Sequence, residues 1–249
     1  MNDHAGEVIN NTEICPGGYL LEVGFDRLPH VRGGQFAMLE VPRADCVLRR
    51  PLGVCMADEG YAAFLYQVKG VGTRALTLLG PGDGIRVTLP LGNGFPDDGD
   101  YDSVAVVGGG FGIAPLYMTA AEYGGRDVRI YNGFSDRRAV MLEKQFAALG
   151  KLTVCTDNGS KGYHGYPVTA LEEDMKRGFS PDVIFCCGPD PLMRAVKRLG
   201  EKSGVPTYLS LETHMGCGVG ACLTCTCKVA GHNTRVCKDG PVFRAEEVF

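Results

Sequence analysis

Hydrophobic and polar positions change rhythm once along this chain. Up to about residue 96, short runs rich in apolar and β-branched residues recur at Tyr19–Phe25, Phe36–Val41, Val47–Arg50, Ala62–Val68 and Ile85–Leu89. Turn-forming clusters separate them, among them Pro16-Gly17-Gly18, Arg32-Gly33-Gly34 and Gly80-Pro81-Gly82-Asp83-Gly84. Many short strands at close spacing predict a small β-barrel or sandwich. The polar turn cluster Pro96-Asp97-Asp98-Gly99-Asp100 closes this region. Beyond it strands and helices alternate. Strands are expected at Ser103–Val107, Val128–Gly133, Leu152–Thr156, Val183–Cys187 and Thr207–Leu211. Helices are expected between them at Ile113–Tyr123, Arg138–Leu149, Val168–Lys176 and Pro191–Lys202. That alternation implies a Rossmann-like parallel α/β sheet with ligand sites at the carboxyl ends of its strands. From Glu212 the helical pattern stops. The expected division is a β domain over 1–97, an α/β nucleotide domain over 98–210 and a small third unit over 211–249.

The 249 residues are 45% hydrophobic and 22% charged, with net charge −4. A mildly acidic chain without a basic run is not expected to bind nucleic acid or an anionic membrane. One uncharged stretch, Val104–Ala121, is long enough to suggest a membrane span. It carries Gly108, Gly109, Gly110, Gly112 and Pro115 in its middle, so a strand, a glycine loop and a helix account for it better. The N-terminus lacks the basic and apolar regions of a signal peptide. The cysteines number eleven, an odd count. Reduced thiols or thiolate ligands in the cytoplasm fit this better than a disulfide framework.

The cysteines are concentrated. Cys217, Cys222, Cys225, Cys227 and Cys237 all lie within 217–237, where a uniform spread would place about one. The spacing Cys217-x4-Cys222-x2-Cys225-x11-Cys237 matches the plant-ferredoxin pattern for a 2Fe–2S cluster, with four thiolates converging from two sides. Gly216, Gly218, Gly220 and Ala221 are small enough for backbone N–H groups to approach sulfur. Structural zinc also takes four thiolates, but zinc ribbons usually present two close CxxC pairs and here Cys222/Cys225 is the single one. A redox CxxC belongs near the start of a βαβ unit, and a Rieske centre needs paired histidines that His214 and His232 do not supply. Cys227 alternates with Cys225 along an expected strand and would point away, which makes it a bystander.

Two glycine-containing loops follow buried strands. Gly108-Gly109-Gly110-Phe111-Gly112 opens a helix, where glycines let a pyrophosphate approach N–H donors at a helix N-terminus. Its spacing departs from GxGxxG because position 113 is Ile, so a tight structural turn stays open as the other reading. Cys187-Gly188-Pro189 follows Val183–Phe185, and the two loops together could grip a nicotinamide at one sheet edge. Cys187 reads equally as a small core residue. Arg137 and Arg138 follow the second strand of this region, where a 2′-phosphate would be read, but Asp136 beside them opposes one. In the β region, Arg49-Arg50-Pro51-Leu52 and Gly70-Val71-Gly72-Thr73 offer an arginine and turn amides to a second pyrophosphate. Taken alone, both could be ordinary surface features.

In this order, the pieces resemble a known family. Arg50-Pro51-Leu52-Gly53 with Gly72-Thr73, and Gly82-Asp83 leading to Pro90-Leu91-Gly92-Asn93-Gly94-Phe95, resemble the flavin domain of the ferredoxin–NADP reductase superfamily. Gly108–Leu116 and Cys187-Gly188-Pro189 resemble its nicotinamide domain. Leu211–Cys222 and Val236-Cys237-Lys238-Asp239-Gly240-Pro241-Val242-Phe243 resemble the electron-transfer subunits of class 1B dihydroorotate dehydrogenases. The resemblance spans essentially the whole chain. It implies FAD held by Arg50, Pro51, Leu52, Gly53, Leu65, Tyr66, Gln67, Gly72 and Thr73. It implies NAD at Gly108, Gly109, Gly110, Gly112, Cys187, Gly188 and Pro189, and a 2Fe–2S cluster on Cys217, Cys222, Cys225 and Cys237. It further implies an FMN-containing partner that oxidises dihydroorotate in pyrimidine synthesis, two copies of each chain forming a heterotetramer. The family has Ser or Thr where this chain has Gly53, so a flavin-bonding hydroxyl is missing; His214 also departs from relatives.

The cofactor set has a chemical logic. Nicotinamide exchanges a hydride, a cluster carries single electrons, and flavin does both. The sequence offers no acid–base pair for pyrimidine chemistry, which agrees with a substrate site on another chain. The same motifs also fit flavin/iron–sulfur subunits of sulfite reductases, hydrogenases and NADPH–ferredoxin oxidoreductases. A non-catalytic, zinc-stabilised adaptor is the reading from another class.

Overall fold

The computed structural model describes residues 3–43, 45–97 and 99–249. Met1 and Asn2 of the N-terminal segment, Ala44, and Asp98 of the Pro96–Asp100 turn lie outside the described residues. The first region is a closed barrel of β1 (Asp3–Cys15), β2 (Gly18–Phe25), β3 (Phe36–Leu39), β4 (Arg50–Ala57) and β5 (Tyr61–Gln67), a short helix α1 (Val71–Leu76), and β6 (Gly84–Leu91). The strands run around it in the order β1-β2-β5-β4-β3-β6. Leu21, Val23, Leu39, Val54, Phe64 and Leu89 fill its interior, all without solvent contact.

Two strands depart from the sequence pattern. β1 is absent from it because Val8 and Cys15 are its sole buried residues. Its pairing with β2 and β6 replaces burial as the force that holds it. The expected strand Val47–Arg50 is also wrong. Its first two residues are exposed, Val47 at 88%, and the strand begins at Arg50. Pro51 and Gly53 obscure it, yet both are tolerated for a geometric reason. Residues Arg50–Gly53 pair with β3, and Val54–Ala57 with β5. Pro51, lacking an N–H, therefore sits where the strand has one neighbour.

The second region contains β7 (Ser103–Gly109), a 3-10 turn (Gly110–Ile113), α2 (Ala114–Glu122), β8 (Asp127–Phe134), α3 (Glu143–Ala147), β9 (Lys151–Thr156), β10 (Tyr163–His164), α4 (Pro167–Lys176), β11 (Val183–Cys187), α5 (Asp190–Ser203) and β12 (Thr207–Ser210). The uncharged Val104–Ala121 stretch thus becomes strand, turn and helix. Among the described residues no helix is long and apolar enough to cross a membrane. The helix expected over Arg138–Leu149 shrinks to α3. Asp136 accepts the Arg138 N–H at 2.7 Å, which bends the chain locally, and Leu142 takes a left-handed φ of 54° just before α3 starts.

The cysteine-bearing tail adds β13 (Thr226–Val229), β14 (His232–Arg235), α6 (Val236–Asp239) and β15 (Val242–Arg244). The strand expected at Thr207–Leu211 forms as β12 and gains a further neighbour in the sheet. β15 joins the sheet edge antiparallel to β12, Leu209 opposite Phe243, giving the order β10-β9-β8-β7-β11-β12-β15. The sheet is parallel except at that edge. One sheet face packs towards the barrel, with Val104, Val106, Ile130 and Phe185 against Cys55, Leu65 and Phe95. The other buries Val107 and Ile184 beneath Leu171, Val196 and the tail residues Phe243 and Val248.

Backbone bonds stitch the regions together. The Gly34 N–H donates to the Pro115 carbonyl at 3.0 Å, and the Gly33 N–H to the Glu122 carboxylate at 2.7 Å. The Asn93 N–H reaches the Gly240 carbonyl at 2.6 Å, and the Leu211 N–H the Pro241 carbonyl at 2.9 Å. These contacts seat the tail where barrel and sheet meet.

Candidate functional site

The tail arranges its thiols in two pairs. Cys217 and Cys222 share a hydrogen bond, as do Cys225 and Cys237. The first pair lies towards solvent, with Cys222 exposed, while Cys225 and Cys237 are buried. Among the described residues no three His, Cys, Asp or Glu side chains gather around one metal position. Two two-thiol ends suit a two-iron cluster gripped from both sides. Small loop residues bring N–H groups onto sulfur. Cys217 Sγ accepts from Val219 (3.4 Å), Ala221 (3.3 Å) and Cys222 (3.4 Å), and Cys237 Sγ accepts from Gly220 (3.1 Å). The Cys237 N–H reaches Cys225 Sγ at 3.5 Å.

Those dipoles favour thiolate at the outer pair. Burial pushes the Cys217 thiol up, but the N–H groups of Cys222, Val219 and Ala221 outweigh it and hold it below its ordinary value. The hydroxyl and N–H of Thr224, with the Cys217 thiol, pull Cys222 down to about 6. Burial, reinforced by Cys225, pushes Cys237 up to about 12. Cys227 lies half-buried on β13 opposite Thr234, outside both pairs.

The cluster loop touches the barrel at one informative place. A Cβ on Gly218 would stand 2.5 Å from Met38 Cγ, so the loop backbone lies against β3. Met38 in turn pairs with Pro51 on β4. The thiol loop and the Arg50–Gly53 segment are thus separated by a single strand, adjacent strands lying about 4.8 Å apart.

Around β4 the structure assembles some of the expected flavin residues and not others. The Arg50 guanidinium lies on the backbone of Gly72, where a Cβ would be 2.2 Å from Nε, and Nη1 donates to the Leu48 carbonyl. Arg50 and the start of α1 form one cradle. Thr73 uses its hydroxyl locally, accepting the N–H groups of Lys69 (2.9 Å) and Gly70 (3.1 Å). Tyr66 points into the barrel, its hydroxyl donating to Asn11 Oδ1 at 3.1 Å and its ring stacked on Tyr19 at 5.7 Å. Leu65 packs on the sheet side, and Gln67 is exposed. Gly53 has a packing reason. A Cβ there would stand 3.3 Å from Pro115 Cδ, so a side chain at this position would press on the start of α2 and need a shift of a few tenths of an ångström.

At the carboxyl ends of the sheet strands lies a cleft of about 1070 Å³. Gly109, Gly110, Gly112, Gly188 and Pro189 line it, as does Gln67 from the barrel. The two expected loops meet directly. A Cβ on Gly112 would stand 2.6 Å from the Cys187 carbonyl oxygen, so glycine is required for this approach. Gly108 and Cys187 stay out of the lining. The Gly108 backbone sits against Ile113 and the Asn132 side chain, and the Cys187 thiol is buried, its pKa raised first by burial and then by Glu212. Asn132 is itself buried with Oδ1 lacking a hydrogen-bond donor, a polar atom under the glycine turn that periodicity could not flag. Glu212, Asp157 and Tyr166 also line the cleft. Their sequence signal was a position just past a strand or just before a helix.

Comparison with known proteins decides the family. Residues 212–249 match the family described as the iron-sulfur cluster binding domain of dihydroorotate dehydrogenase B. The dihydroorotate dehydrogenase B (NAD(+)) electron transfer subunit of Geobacillus thermodenitrificans is 44% identical over 226 residues, 86% of each chain. That of Listeria monocytogenes serotype 4a is 38% identical over 251 residues, 97% of each. The chain belongs to the dihydroorotate dehydrogenase B electron transfer subunit family. Among solved structures, that of an NADH-dependent reduced ferredoxin-NADP oxidoreductase superposes with TM-score 0.86 at 29% identity, over 98% of this chain and 89% of that one. An Amycolatopsis cytochrome P450 reductase shares the fold at TM-score 0.70 and 23% identity, over 81% of this chain and 66% of its own. For this member of the dihydroorotate dehydrogenase B family, the barrel, the nucleotide-type sheet and the iron–sulfur tail therefore agree with the expected fold class.

Proposed function

We propose that this chain is the oxidoreductase subunit that passes electrons from a dihydroorotate-oxidising partner to NAD⁺ in pyrimidine synthesis. When bound, a 2Fe–2S cluster supplies one-electron transfer, FAD couples one-electron to two-electron steps, and NAD⁺ accepts hydride. Cys217 and Cys222 would hold one iron and Cys225 and Cys237 the other, their N–H partners stabilising sulfur charge. Arg50 and the Gly72 backbone would hold the flavin pyrophosphate, with Pro51, Leu52 and Gly53 along the ring and Gln67 at the cleft. Gly109, Gly110 and Gly112 would offer amides to the nicotinamide dinucleotide, with Gly188 and Pro189 covering it. Gly108, Cys187, Leu65, Tyr66 and Thr73 would act from behind, by shaping the backbone. The functional division is a flavin unit over 1–97, an NAD unit over 98–210 and a cluster unit over 211–249, the last sharing a strand with the second.

The observation that carries this reading is the thiol loop seated on β3, one strand from Arg50–Gly53. A one-electron carrier placed there lies between an exposed cysteine pair and the flavin strand. The partner is inferred to carry FMN, to form a heterotetramer with two copies of each chain, and to share a cytoplasmic location. To test this, the loaded chain is mixed with an FMN-containing dihydroorotate-oxidising subunit and dihydroorotate-dependent NADH formation is followed. Formation by the mixture and by neither component alone is expected. No formation, with FAD, iron and FMN all confirmed present, would overturn the reading.

A further inference from the structure

The nucleotide cleft has an electrostatic imbalance. Its lining holds the acids Asp136, Asp157, Asp190 and Glu212 and the cations Lys69 and Arg138. Arg138 is committed to Asp136, with Nη2 at 3.0 Å and Nε at 3.4 Å from its carboxylate oxygens. Lys69 makes no side-chain hydrogen bond or ion pair among the described residues. It is also the one lining cation contributed by the barrel side. Its backbone is fixed on both flanks. The Val68 N–H donates to the Gly17 carbonyl at 2.9 Å, and its own N–H to the Thr73 hydroxyl at 2.9 Å.

A doubly anionic pyrophosphate entering this cleft meets neutral amides on the sheet side and an excess of carboxylates around them. Amide dipoles alone leave that charge poorly compensated, whereas a lysine supplies a full point charge on a long stem. We infer that Lys69 is a positioning residue for the dinucleotide, its ammonium meeting the pyrophosphate across the cleft from the Gly109–Gly112 amides. This rests on the NAD assignment above. It makes dinucleotide binding a contact between both regions, and it gives the β5–α1 connection a task besides flavin binding. Thr73, which caps the Lys69 N–H, then aims that lysine.

The test uses the chain loaded with FAD and cluster, with ferricyanide as acceptor so that no partner subunit is needed. Lys69→Ala should raise both the KM for NADH and the Kd for ADP-ribose, measured calorimetrically, by about tenfold, while kcat stays within about twofold. FAD content should be unchanged, the salt dependence of ADP-ribose binding should flatten, and Lys69→Arg should restore most of the affinity. ADP-ribose binding by Lys69→Ala as tight as wild type would overturn the inference. So would loss of FAD at unchanged ADP-ribose affinity, which would give Lys69 to the flavin. Failure of the wild-type chain itself to bind ADP-ribose or oxidise NADH would instead sink the NAD assignment, and the role of Lys69 with it.

Discussion

Arg50 lying on the Gly72 backbone is a cradle built from one charge and one missing side chain. Arg50→Ala removes the charge and should weaken FAD binding about 10- to 100-fold, the scale of a charge-assisted hydrogen bond. Flavin fluorescence released on dilution measures it. Tyr66 sets a different expectation, because its hydroxyl is pushed up from 10.0 to about 12 by burial. The folded chain keeps a proton that the unfolded chain gives up, so this contribution is full below pH 10 and is lost as pH rises towards 12. Urea midpoints taken across that range should fall, and Tyr66→Phe should make the fall shallower. At this scale the sequence was informative where chemistry dictates residue type. Four thiols at ferredoxin spacing and an arginine beside turn glycines are legible as such. The inward turn of Tyr66 is not, because strand alternation specifies opposite faces without saying which face looks into the barrel.

Elements were legible in proportion to their burial. β11 is apolar throughout and β7 is free of polar side chains after Ser103, and both emerge from hydrophobicity alone. β1 is held by pairing and β4 changes partners midway, so neither leaves a clean apolar pattern. The β8–α3 connection shows how one polar residue redirects a segment: Asp136 binds both the backbone and the guanidinium of Arg138, and the helix starts late. That pairing has a consequence for nucleotide choice, since it lies just past the second strand of the sheet region, where ribose is read in such folds. Asp136→Ser frees Arg138 for a 2′-phosphate. The ratio of kcat/KM for NADPH over NADH should rise by about tenfold or more, read in steady-state ferricyanide assays.

For the whole molecule, the order of three regions could be read from the sequence, but their interlocking could not. β15 is three residues long, and its place at the sheet edge follows from contacts with a strand some thirty residues earlier, which no local pattern records. A chain ending at residue 210 would lose Val229, Val236, Phe243 and Val248 from the core beneath the sheet. Each such side chain contributes about 1.5–3 kcal/mol, against about 5–15 kcal/mol for an entire domain. The truncated chain should melt far below the full one by circular dichroism and retain little FAD, although the flavin and nucleotide segments are both present. The position of β15 also bears on how the chain is made. It follows every other strand of its sheet in chain order, so during synthesis the edge at β12 stays unpaired until β15 emerges. A product terminated between β12 and β15 keeps that edge open, available to stray strands and to proteases. Closing the sheet with the tail thereby couples two features: a polypeptide that lacks its cluster-binding segment also lacks the strand that covers the β12 edge.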